Sequence, residues 1–221
     1  MFDPILEPAY RLITALSDVT GAALAIVLFT LAVRVFLLPL SLRQARAARL
    51  QARVAPRIER LRERYARDPE RLRRELAALY AAEGGSPLAG CAPGLAQLPF
   101  FALTYQLFIS ATIAGQPNLL LAQSALGVPL GEHFAAVVAT SGLFSPAALV
   151  FAGLLALLAV LAWVNHRRMD RVPFRALRLL PFGVVVAAGV LPLAAGVYLL
   201  VSTAWSTAER AVLYPRSTAL A

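Results

Sequence analysis

Residues 21–42 read GAALAIVLFTLAVRVFLLPLSL, and residues 43–74 continue RQARAARLQARVAPRIERLRERYARDPERLRR. The first run is interrupted only by Arg34 and Pro39. It meets the length of about twenty predominantly apolar residues needed to cross the hydrocarbon core of a bilayer as a helix. The second run carries twelve arginines, yet it is not a featureless charged tract. Leu50, Val54, Ile58, Leu61 and Tyr65 recur at helical spacing and make one apolar stripe. Asp68-Pro69 supplies an N-cap and a first-turn proline, and Leu72, Leu76 and Leu79 begin a second stripe that Gly84-Gly85 ends. A membrane span that leads into two basic amphipathic helices predicts an all-α membrane protein with an antiparallel helical hairpin over 43–92. Pro56 is expected to kink the hairpin's first helix.

Outward from that segment, further apolar stretches occupy 93–114 and 146–164. A final block, 177–208, is too long for one span and short for two. Gly189, Pro192 and Gly196 lie in its middle and are expected to break the helix. This predicts spans at 177–190 and 191–209, five transmembrane helices in all, with one long tilted helix as the alternative. Residues 1–20 are weakly amphipathic through Ile5, Tyr10, Ile13 and Leu16, which suits a short helix on the outer membrane surface. Acids precede any base in Met1-Phe2-Asp3-Pro4, so no secretory signal peptide is expected. Arg167, Arg168, Arg171, Arg175 and Arg178 cluster in and beside 165–176, and Arg210 and Arg216 lie in the tail 210–221. The loop 115–145 has no arginine. The positive-inside rule then puts the N-terminus and the 115–145 loop outside, with both basic loops and the C-terminus in the cytoplasm of a bacterial-type plasma membrane.

Composition narrows the function. Of the 221 residues 59% are hydrophobic and 15% charged, and mean hydropathy is +0.69, a balance suited to a bilayer as solvent. Net charge is +9, and the sequence contains no lysine. That removes the phosphate-loop and Schiff-base lysines. The single cysteine, Cys91, excludes an intramolecular disulfide. His133 and His166 fall in different loops without ligand spacing. No catalytic residue, metal site or cofactor is expected.

The residue that asks for an explanation is Arg34, about thirteen residues into the first span. A charge near the bilayer centre costs about 2.5–3.5 kcal/mol on insertion scales. None of the twelve acidic residues falls within the core of a predicted span, although Glu209 stands at the cytoplasmic end of the fifth. Two readings remain. Arg34 either snorkels to the cytoplasmic headgroups, or it sits in a wet cavity and awaits a transient partner. Thr30 beside it, Gln97, Thr104 and Gln106 in the second span, and Ser202, Thr203 and Ser206 in the fifth are the polar groups that would line such a cavity. Singly, each is accounted for by an interhelical hydrogen bond. On the hairpin, Arg43, Arg46, Arg53, Arg57, Arg60, Arg64, Arg73 and Arg74 offer a surface for anionic lipid or for an acidic partner such as ribosomal RNA, and charge alone does not choose.

Taken in order, these residues resemble the YidC/Oxa/Alb family of membrane protein insertases. Thr30 and Arg34 with Leu38-Pro39-Leu40 are similar to that family's first core span. Pro56, Tyr65 and Asp68-Pro69 are similar to its cytoplasmic hairpin. Leu79-Tyr80, the run Ser86-Pro87-Leu88-Ala89-Gly90-Cys91-Ala92-Pro93, and Gln97-Leu98-Pro99-Phe100-Phe101 resemble its entry to the second span. Leu191-Pro192 and Val197-Tyr198-Leu199 resemble the start of its last span. The family usually has asparagine in place of Ser86 and often tryptophan in place of Leu199. It also has members with a long basic C-terminus or a large extracytoplasmic domain, neither of which this sequence shows. The resemblance implies a groove open to the cytoplasm and to lipid, with Arg34 at its heart. There the hydrophilic tail of a nascent membrane protein is received without nucleotide while its apolar helix enters the bilayer. Nascent membrane proteins and membrane lipids are the implied partners, with the ribosome and the Sec translocon as further candidates. The rival readings are a small anion transporter, which lacks the inverted repeats usual in that class, and an arginine-rich membrane scaffold.

Overall fold

The computed structural model describes residues 3–83, 106–110, 112–113, 116–168 and 178–213. The described chain is mostly helical, and its strands are confined to two short two-stranded ladders. The molecule divides into two compact units, residues 1–35 with 100–221, and residues 36–99. Gln97 and Thr104, the Gly84-Gly85 stop, the Gly90-Cys91 motif, Arg171 and Arg175 lie outside the described residues.

In the first unit, α1 (Asp3–Thr20) buries Ile13 completely, and Tyr10 and Leu16 pack partly against the same core. The expected apolar face is therefore turned into the protein, while Leu12 and Val19 are exposed. Ser17 Oγ donates to Gln123 Oε1, and Tyr10 Oη accepts from the Leu119 amide at 2.9 Å. Gly21, at φ +82°, ends α1 with a bond from its amide to Ser17 O at 2.8 Å. α2 (Ala22–Phe36) follows and buries Ala22, Ala25, Ile26 and Thr30. The expected single helix over 21–42 is corrected: it ends at Phe36, and a new one starts at Leu38. Pro39 has no N–H to continue the ladder of α2, and it falls instead in the first turn of the next helix, where none is required.

The expected second span also ends early. Residues 106–109 are helical, but Thr112 and Ile113 form β1, which pairs antiparallel with β2 (Gln116–Pro117). Asn118 provides the physical reason. Its buried Nδ2 donates to Leu107 O at 2.9 Å and Ser110 O at 3.0 Å, and its Oδ1 accepts from the Leu120 amide at 3.2 Å. One side chain thus closes the helix's last carbonyls and starts the next turn, α5 (Leu119–Ala122).

The loop expected over 115–145 is a packed structure rather than an open one. β3 (Ser124–Ala125) and β4 (Val128–Pro129) pair antiparallel around the two-residue turn Leu126-Gly127, and α6 spans Phe134–Ser141. Leu120, Ala125, Val128, Leu130 and Val137 from this segment are buried in the core of the first unit.

α7 (Pro146–His166) starts where Ser145 Oγ accepts from the Ala148 amide at 3.2 Å. Among the described residues it is the one helix that by itself is long and apolar enough to cross a membrane. The block after 177 contains a 3₁₀ turn (Leu180–Phe182), α8 (Gly183–Val190) and α9 (Leu193–Leu213). Of the three expected breaking positions only Pro192 acts. Gly189 stays within α8, and Gly196 lies in α9, where a Cβ would come within 3.2 Å of Leu154 Cδ2 on α7. Gly196 therefore serves close helix packing rather than a break. α7 packs against α6, α8 and α9. Past the break, the amides of Leu193 and Ala194 donate to Glu132 O and Leu130 O, both at 2.9 Å.

The second unit holds α3 (Leu38–Arg64) and α4 (Pro69–Ala82). The helix is unbroken at Pro56. Val54 is buried, Leu50, Ile58, Leu61 and Tyr65 are half-buried, and the arginines between them face solvent. Asp68 caps α4 by accepting from the Arg71 amide at 2.9 Å. Arg57 Nη1 meets Glu83 Oε1 at 2.6 Å, which joins the middle of α3 to the end of α4. The guanidinium groups of Arg64 and Arg71 lie 5.7 and 5.3 Å from the centroid of the Tyr65 ring.

Replacing Asn118 by alanine leaves two carbonyls and an amide without their partner, and a buried unsatisfied polar group costs about 1–3 kcal/mol. The expected result is a thermal unfolding midpoint in detergent several degrees below that of the parent chain. An unchanged midpoint would show that Asn118 does not hold this corner.

Candidate functional site

α2 delivers Arg34 and α9 delivers Ser202, and the two side chains meet although 168 residues separate them in sequence. Arg34 is half-buried in the last turn of α2, and its Nη2 donates to Ser202 Oγ. Ser202 is buried. Among the described residues the ion pairs are Arg11 with Glu7 and Arg57 with Glu83, so no carboxylate lies at ion-pair distance from Arg34. Glu209 is near enough for its charge to act on Arg34, but its hydrogen bond is to a different neighbour, accepting from Trp205 Nε1 at 3.1 Å. A guanidinium has five N–H donors and one hydroxyl satisfies a single one of them. The arrangement holds a positive charge in place without neutralising it.

The other expected groove residues divide. Thr30, one turn before Arg34, is buried, and its Oγ1 donates to Ile26 O at 2.7 Å. That is the back-bond to the preceding turn typical of threonine in a helix, and it uses the hydroxyl's one donor. Thr203 is half-buried, and its carbonyl accepts from Thr207 Oγ1 at 2.7 Å. Arg34, Thr30, Ser202 and Thr203 thus belong to two helices of the same unit, with Arg34 and Ser202 in direct contact.

A polar pair that the sequence reading had not singled out joins α7 to α9. Asn165 Nδ2 donates to Thr207 Oγ1 at 2.8 Å and to Leu161 O at 2.9 Å. Both residues are buried, and Asn165 Oδ1 has no hydrogen-bond partner among the described residues. The available signal was an amide in the last turn of an otherwise apolar helix. Its partner lies 42 residues away and is not announced by spacing.

On the second unit Arg43, Arg46, Arg53, Arg57, Arg60, Arg64, Arg73 and Arg74 are all exposed. Arg57, Arg60 and Arg64 border a shallow cleft with Leu61 on their own helix and Glu75, Ala78 and Leu79 on α4. Three cations beside leucine side chains make a surface suited to an acidic partner with an apolar face. No cluster of three or more metal-ligating side chains occurs among the described residues.

The family model described as 60Kd inner membrane protein matches residues 15–219. The curated relatives include proteins named membrane protein insertase YidC. The protein of Aquifex aeolicus (strain VF5) is 33% identical over 106 residues, 48% of this chain and 21% of that relative. That of Acidiphilium cryptum (strain JF-5) is 36% identical over 118 residues, 52% of this chain and 20% of the relative. That of Clostridium perfringens (strain 13 / Type A) is 35% identical over 92 residues, 42% of this chain and 39% of the relative. The match thus spans between a fifth and two fifths of the length of these relatives.

Thr207→Val keeps the shape of the side chain and removes the acceptor for Asn165. Interhelical hydrogen bonds in membranes average about 0.6 kcal/mol, and here Asn165 keeps its bond to Leu161 O. A small loss of thermal stability in detergent is expected, no more than a few degrees. A collapse of the fold would assign the Asn165–Thr207 pair a structural weight well above that average.

Proposed function

Because the chain belongs to the 60Kd inner membrane protein family, the YidC/Oxa/Alb insertases, we propose that it is a membrane protein insertase that receives hydrophilic segments of nascent membrane proteins in a polar groove around Arg34. The observation that carries this reading is the bonding of Arg34: a cation on an apolar helix, held by a neutral hydroxyl and without a carboxylate partner among the described residues. An acidic residue on a substrate tail supplies the missing charge. The tail is held while its apolar segment leaves water for lipid, a transfer worth about 25 cal/mol per Å² of apolar surface. No nucleotide enters this account. The groove is lined by Arg34, Thr30, Ser202 and Thr203, with Gln97 and Thr104 from the second span.

In this reading the chain crosses the membrane five times, in the segments that contain α2, residues 106–109, α7, α8 and α9, with the N-terminus outside and the C-terminus in the cytoplasm. The break at Leu191–Pro192 supports two spans in the last block. The exposed arginines of 43–92 form an antiparallel cytoplasmic hairpin that recruits substrate. The contact of Arg57 with Glu83 supports that fold-back. Membrane lipids, and during synthesis the ribosome and the Sec translocon, are the partners this role brings. The anion transporter and the arginine-rich scaffold draw no support from the relatives, which are insertases by name.

The test is reconstitution of the full chain in liposomes without nucleotide or Sec components, with protease protection of the tail of a single-span substrate as the readout. Protection above that of empty liposomes is expected. Arg34→Ala should reduce protection of an acidic tail more than of a neutral one, and Arg34→Lys, which keeps the charge, should restore part of it. Equal insertion of both tails by Arg34→Ala would overturn the role of the arginine. No gain over empty liposomes by the folded parent chain would overturn self-sufficient insertion.

A further inference from the structure

We propose that Leu126, at the tip of the β3–β4 hairpin, is a lipid anchor that seats in the outer leaflet of the bilayer; the choice of leaflet rests on the orientation proposed above. The hairpin turns through Leu126 and Gly127, at φ +52° and +79°. Two positive φ values define the tight turn that suits the twist of paired strands, and its first central position strongly favours asparagine, aspartate or glycine. Leucine has a Cβ and a branched Cγ and offers neither the freedom of glycine nor the local hydrogen bonding of asparagine. Leu126 is the one non-glycine residue at positive φ among those described. It is also 86% exposed. In water that combination is unfavourable twice over, once for the backbone and once for the side chain. The side chain's cost is answered if it lies in hydrocarbon, whereas the backbone's is steric and stays, so the leucine is held at the turn's expense.

The surroundings agree with that occupant. The loop 115–145 contains no arginine, and its one acid is Glu132. Val128 and Ala125, which flank the turn, point into the protein and are buried, so the hairpin's own core holds the tip in place. The hairpin is tied to the start of α9, since Leu130 O accepts from the Ala194 amide at 2.9 Å. From Leu130 to Leu126 an extended chain covers at most about 13 Å at 3.3 Å per residue. The tip therefore stays within reach of the interface at which α9 begins. Phe144, 87% exposed just before the N-cap of α7, marks that interface a second time, as aromatic residues do at span ends.

The test uses the full chain with Cys91 replaced by serine and Leu126→Cys carrying an environment-sensitive fluorophore, reconstituted in phospholipid vesicles. Quenching by lipids spin-labelled in the upper acyl chain, with little quenching by aqueous iodide, is expected. Strong iodide quenching without lipid quenching would overturn the anchor. Confining the spin-labelled lipid to one leaflet separates the two proposals. Quenching from the cytoplasmic leaflet alone would support an anchor and overturn the orientation. A second variant, Leu126→Asn, sets the two contributions against each other. Asparagine suits the turn, so a lower unfolding midpoint in vesicles supports the anchor, and a raised or unchanged one overturns it.

Discussion

A bilayer offers no water to an unpaired amide or carbonyl, so each place where the helical ladder of this chain stops must be closed by another part of the protein. The break at Leu191–Pro192 is the severe case. Pro192 has no N–H, and the first amides of α9 have no partner within the helix. Glu132 O and Leu130 O accept from Leu193 and Ala194 and satisfy the first two of them. Those carbonyls are available because the β3–β4 hairpin has already turned the chain back, and Asn118 secures the same segment at its other end by closing the carbonyls of Leu107 and Ser110. The packed structure between 116 and 141 therefore follows from the two helix ends it serves. α1 adds to it through Ser17 and Tyr10. In the proposed orientation all of this lies on the outer side and makes a lid of main chain and apolar side chains.

The far ends of the same helices are different in kind. α2 carries Arg34 in its last turn, α9 carries Ser202, Thr203, Ser206, Thr207 and Glu209 over two turns, and α7 ends with Asn165 and His166. Outer closure by apolar packing and inner lining by polar groups give the first unit a polarity along its helices. A carboxylate partner would have made Arg34 a structural ion pair, costly to separate once buried. A hydroxyl partner is exchangeable: it orients the guanidinium and leaves four of its donors for another acceptor. In the proposed function, that difference between a fixed and an exchangeable partner is what suits Arg34 to binding rather than to packing.

The features legible in the sequence are those whose cause is local. Asp68-Pro69 announces a helix start because cap and first-turn proline are neighbours in the chain. The alternation of Leu50, Val54, Ile58 and Leu61 announces a helix because the period is written in consecutive residues. Pro192 breaks its helix for a reason internal to proline. The misses share a different cause. Gly196 was read as a breaker because its partner, Leu154, lies on another helix, and only the packed structure gives a glycine there its purpose. Two-residue strands carry no alternation to detect, and Leu126 hides the turn that asparagine would have revealed. Asn165 and Thr207 matter only as a pair. Arg34 was singled out from its position alone, whereas its partner Ser202 was one polar residue among several until the fold selected it.

The two sets of arginines then divide by physics rather than by number. Those of α3 and α4 are exposed, so their attraction for an acidic partner or anionic surface is long-ranged, sums over many weak contacts of about 1 kcal/mol each near a lipid surface, and fades with salt. Arg34 is half-buried, where screening is weak and an opposite charge is felt strongly. In the proposed function, loose capture is the part of the exposed arginines and defined positioning the part of Arg34. In that reading the substrate's apolar helix ends in lipid and its acidic tail at Arg34, a contact that must be weak enough to break.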